Sequence, residues 1–169
     1  MNNAIKWGAI MAVGLIILSL AMHYSGMSEP ENTVGGIINT VLSYVISVGA
    51  MVMGISAYKK SNSGFLTLGN GISQGVLIAL IGGILMAIFT YIFYSFVATD
   101  AMDSIKEAAM AGAEETGGEQ EEMVGNMLNA MFSPGSMAFM VVVMKLFLGL
   151  IVGLIAGLIM KNERPQGTL

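Results

Sequence analysis

Four apolar runs, each of 18 residues or more, leave this chain little choice of environment. About 20 apolar residues at 1.5 Å rise cross the ~30 Å hydrocarbon layer of a bilayer, and a helix satisfies its own backbone hydrogen bonds there. The runs place spans at about 5–24, 34–58, 72–97 and 136–160. In 169 residues they make one membrane domain, covering 1–169. Composition agrees: the chain is 55% hydrophobic and 11% charged, where a soluble domain is about a quarter charged. The expected fold class is all-α. Four transmembrane helices form an antiparallel bundle, with an amphipathic helical hairpin between the third and fourth.

The first span begins beside Lys6 and is bracketed by Trp7 and Tyr24, rings that favour the two interfaces. A signal peptide shares the charged start and apolar core, but no A-x-A cleavage site precedes Ser25, and an uncleaved span is expected. In the second span Asn39, Ser43 and Ser47 lie four apart and share one helix face. That face reads either as interhelical hydrogen bonding, at about 0.6 kcal/mol per contact, or as the lining of a solute path. The turn KKSNSGFLTLGNG carries Phe65, Leu66 and Leu68 and is expected on the membrane surface. The third span shows Gly71, Gly75, Ala79, Gly83 and Ala87 at four-residue spacing, then Tyr91, Phe93, Tyr94 and Phe96 as an aromatic belt. The fourth repeats the device with Gly149, Gly153 and Gly157, and the two ridges are expected to pack spans three and four together within the monomer, with a homodimer or partner interface as the alternative.

Residues 98–135 are too polar for lipid. Met102, Ile105, Ala109 and Met110 share one side of a first segment, and Met123, Met127 and Met131 one side of a second, with Gly117 and Gly118 between. Two amphipathic helices at the membrane surface or over the bundle are expected, and the short polar tail after the fourth span is expected to be mobile. Between Asp100 and Glu122 eight acidic residues stand against Lys106 alone, a local charge of −7. Lys6, Lys59, Lys60, Lys161 and Arg164 flank the spans at the other level, so both termini are expected in the cytoplasm and the insert outside. The cell inner membrane is the expected location. A basic face is missing, so nucleic acid is not an expected partner.

The layout, and the stretch YKKSNSGFLTLGNGISQG with Tyr58, Lys59 and the turn from Gly64 to Gly71, resemble a family of small bacterial membrane proteins, domain of unknown function 4199. Leu66, Thr67, Leu68 and Gly69 are similar to that family's entry into its third span. The polar insert and basic tail are similar too, although this insert is unusually rich in glutamate and methionine. The resemblance implies the four-span fold and supplies no catalytic or binding residue.

Lys145, inside the fourth span, is the strongest candidate for function. A central charge costs roughly 2.5–3.5 kcal/mol on insertion scales. Its ammonium is expected either to snorkel to the outer headgroups or to pair with Asp100 or Asp103 just past span three. Of the 16 methionines six cluster from Met123 to Met144, and they read as apolar filler in preference to a copper(I) site. Glu114, Glu115, Glu119, Glu121 and Glu122 lack a calcium-loop register and read as a solvated face. His23 reads as an interfacial residue. There is no cysteine, and no H-E-x-x-H, G-x-S-x-G or P-loop motif. No enzyme activity, cofactor or metal is expected. The expected role is association through the glycine faces of Gly71, Gly75, Gly83, Gly149, Gly153 and Gly157, with the bilayer and with a second copy or another membrane protein. The alternative is a minimal transporter or channel using the Asn39, Ser43, Ser47 face and Lys145.

Overall fold

The structure, a computed structural model, describes residues 2–29, 32–111 and 119–163, with backbone alone within 108–124. The expected break at Gly117 and Gly118, the carboxylates of Glu114 and Glu115, the side chains of Glu119, Glu121, Glu122 and Met123, and the tail from Arg164 lie outside this description.

Among the described residues six helices follow in order: α1 (Asn2–Tyr24), α2 (Thr33–Ser61), α3 (Leu68–Ile92), α4 (Thr99–Ala111), α5 (Glu119–Met131) and α6 (Pro134–Ile159). A π-helical turn, Phe93–Val97, prolongs α3. Four of the helices are long and apolar enough to cross a membrane: α1, α2, α3 with its π turn, and α6. Polar caps start α2, α3 and α6 where the apolar pattern begins. Asn32 accepts from the Gly35 N–H, Thr67 from Asn70, and Ser133 from Ser136 with Pro134 at the first helical position. After α2 the chain reverses through Ser63 and Gly64, both at positive φ. Glycine takes that conformation without strain.

Helix α3 is the centre of the packing. Its Ile78 and Ala79 are fully buried against Met11 and Leu15 of α1, Met51 of α2 and Val152 of α6. Trp7 is half-buried against this core, its ring lying against Gly54.

The glycine ridges of α3 and α6 face one another. A Cβ on Gly71 would sit 2.6 Å from the Gly157 Cα, one on Gly75 2.7 Å from the Gly153 Cα, and one on Gly153 2.9 Å from the Ile72 Cα. Backbone meets backbone, and the order of contacts shows the two helices running in opposite senses. Gly83 has a different neighbour. A Cβ there would lie 3.3 Å from the Cβ of Lys145, so this glycine makes room for the lysine stem.

One end of the molecule is tied shut. Leu66 and Asn162 exchange backbone hydrogen bonds of 2.8 and 2.9 Å, and the Asn162 amide donates to the Gly64 carbonyl. Lys59 Nζ donates to the Met160 carbonyl at 2.9 Å, where the end of α6 leaves acceptors unsatisfied. Asn3 Nδ2 donates to Gly54 O and Gln74 Oε1, joining α1, α2 and α3. These contacts correct two expectations. Leu66 is fully buried with Ile55 and Ala156, not lying on a membrane surface, and the polar tail is held as far as Asn162.

The Gly153→Leu substitution would drive a side chain into the backbone of Ile72 and should lower stability by about 2 kcal/mol or more. Gly36→Leu, where a Cβ meets nothing within 4 Å, should not lower it. Thermal unfolding of the two variants in the same detergent checks the difference.

Candidate functional site

The polar face of α2 changes character along its length. Asn39 and Ser43 are half-buried, Ser47 is wholly buried, and the next residues at the same spacing, Met51 and Ile55, are wholly buried and apolar. The face is therefore accessible towards the start of α2 and sealed towards Lys59. The hydroxyls of Thr40 and Ser47 donate to the carbonyls of Gly36 and Ser43 one turn back, which lets small polar groups enter an apolar helix without an unpaired donor.

Lys145 closes on this face from α6. It lies about 17 Å along the helix from Pro134, near its middle. Its stem passes over Gly83, and its Nζ donates to Ser47 Oγ at 2.8 Å. The arrangement corrects both expectations for the lysine. The ammonium turns inward to a serine, neither snorkelling to headgroups nor pairing with Asp100 or Asp103. Among the described residues the one ion pair is Lys161 with Glu163, at 3.1 Å. Asp100 stands in the first turn of α4, and Asp103 is exposed and borders neither cavity described below.

Two cavities flank the site. A groove of about 380 Å³ between α2 and α6 is bordered by Asn39, Thr40, Ser43, Tyr44 and Lys145, with Met144, Phe147, Leu148 and Ile151 as its apolar wall. A larger vestibule, about 830 Å³, lies among α1, α2, the π turn and α4. His23, Glu29, Asn32, Tyr94, Asp100 and Ser104 contribute its polar lining. Asn39 and Thr40 border both spaces and form the wall they share. The His23 ring meets Phe93 edge-on at 5.0 Å, and Phe93 stacks on Phe89 at 5.2 Å. Half of the expected aromatic belt thus belongs to the vestibule floor, while Tyr91 and Phe96 remain exposed.

The two glycine ridges lie against each other within the chain, at Gly71, Gly75, Gly149, Gly153 and Gly157, and so present no free surface to a second copy. Sequence reasoning missed the vestibule, because His23, Glu29, Tyr94 and Ser104 come from four separate segments. One signal was available for the tie at the other end. Gln74 is an amide within an apolar span, and such a group needs a partner. Among the described residues no group of three or more His, Cys, Asp or Glu side chains is placed to hold a metal ion.

A family model matches residues 6–162, nearly the whole chain and every helix described above. The chain belongs to the family described as Protein of unknown function (DUF4199). No curated protein and no solved structure matches it. In this DUF4199 chain the match reaches from Lys6 to Asn162, so it takes in the glycine-faced pair, Lys145 and the Leu66–Asn162 tie.

Ser47→Ala should destabilise the protein by about 1–3 kcal/mol, since it leaves the lysine ammonium without its acceptor. Adding Lys145→Met should restore most of that loss, because removing both partners leaves no unsatisfied group. A double-mutant cycle on unfolding free energies in detergent measures the coupling.

Proposed function

We propose that this protein is a non-enzymatic multi-pass membrane protein that takes a solute along a polar path from the vestibule to Lys145. One observation carries the reading: Lys145, in mid-helix, donates to the buried Ser47 beside a groove that shares Asn39 and Thr40 with the vestibule. A dry, purely structural face would have been packed against a neighbouring helix. Here the α2 face is sealed only beyond Ser47, by Met51 and Ile55. The path is open at one end and closed at the other, as in one state of a minimal transporter or a membrane receptor.

In this reading the four long helices form an antiparallel bundle in the cell inner membrane, and α4 and α5 form the outer insert. Lys59, Lys60 and Lys161 gather at the closed end, which supports placing that end and both termini in the cytoplasm. The vestibule then opens outward. Association with a second copy or another membrane protein is left without its glycine ridges, which are occupied within the chain, and would have to use the exposed apolar faces that also meet lipid.

The natural absence of cysteine makes the path directly testable. Asn39→Cys and Ser43→Cys should react with a membrane-impermeant maleimide added to the insert side of sealed vesicles, while Val45→Cys on the outer face of α2 should not. Failure of both path positions to react would show the face to be dry and end the proposal.

A further inference from the structure

The Lys145 ammonium has three N–H donors and, among the described residues, one partner, the neutral Ser47 hydroxyl. Asn39 adds an amide that makes no protein hydrogen bond among those residues. Among the described residues no carboxylate lies within ion-pair distance of Lys145, and a cation so placed in the middle of an apolar helix is strongly disposed towards an anion. The groove indicates how that anion arrives. Its apolar rim, Tyr44, Met144, Phe147 and Ile151, is exposed on the lateral surface that four membrane-crossing helices turn to lipid, Phe147 to 67%. The aqueous approach is less favourable, because a soluble anion entering the vestibule first meets the carboxylates of Glu29 and Asp100.

We propose that the α2–α6 groove binds a single-chain carboxylate amphiphile from the bilayer, its head on Lys145 and Asn39 and its chain along Phe147 and Ile151. One lysine matches one negative charge. The groove, at about 380 Å³, lies in the range of pockets for one small ligand and is narrow for a glycerol backbone bearing two chains. The chain stays in contact with lipid while the head enters the polar part, so only the carboxylate is transferred. The proposal rests on the solute-path reading for its Lys145 end alone and names the ligand class selected there, which reaches the groove from the bilayer and not through the vestibule.

The test uses the purified full chain in neutral-detergent micelles, with Tyr44→Trp in a Trp7→Phe background as a reporter on the groove rim. Dibrominated stearate should quench this tryptophan at a concentration at least about tenfold lower than dibrominated stearyl alcohol. Lys145→Met should abolish the preference while leaving quenching by the alcohol unchanged. Phe147→Trp in the same background provides a second reporter should the first variant not fold. Equal quenching by acid and alcohol, or a preference that survives Lys145→Met, overturns the proposal. Competition by acetate or inorganic phosphate would reassign the site to a soluble anion, and stronger quenching by brominated phosphatidylglycerol to a two-chain lipid; either result also overturns it. Loss of the acid preference while Asn39→Cys still reacts with maleimide would remove the amphiphile and leave the solute path standing.

Discussion

The contact between α3 and α6 is made by backbone on backbone, at a separation that only glycine permits along Gly71, Gly75, Gly149 and Gly153. In lipid, helices gain no hydrophobic energy by associating, so close van der Waals contact has to supply the attraction. Most of the remaining architecture depends on this pair. Helix α3, held on one side by α6, offers its other side to α1 and α2 and carries the centre of the core. The same registration sets Gly83 against the Lys145 stem, which directs the ammonium to Ser47.

The close α3–α6 fit contrasts with a looser meeting of α2 and α6, and the site lies in that difference. Near Lys59 the helices are joined by Leu66, Ile55 and Ala156, by the Lys59–Met160 hydrogen bond and by the Asn162 tie. Away from that end they separate around Asn39 and Ser43. Lys145 stands where the sealed part begins. A charge placed there meets the polar Asn39 and Ser43 on one side and the exposed apolar rim of Met144 and Phe147 on the other.

Much of the fold was legible from residue order. Apolar run lengths located all four long helices to within a few residues, and the i, i+4 spacing of Asn39, Ser43 and Ser47 put them on one face. The two matched glycine ridges also announced a close helix pair. Use of the ridges within the monomer was the favoured reading because each offers the other a matching close approach, although a single ridge looks the same whether its partner is in the same chain or another. The partner of Lys145 was misread. Charge balance pointed to Asp100 and Asp103, whereas the side chain's path was set by the space above Gly83 and by the depth of Ser47. The vestibule was invisible, because residues far apart in sequence give no shared periodicity.

The sequence by itself determined that this chain forms long apolar helices around a lone mid-span lysine and two glycine faces, because helix period and hydrophobicity are local properties. The tertiary structure alone decided which faces meet, and so which end is sealed, where the groove opens and which hydroxyl receives the ammonium. Those outcomes depend on the relative rotation and separation of helices. Packing across the whole bundle sets both quantities, and no single segment encodes them.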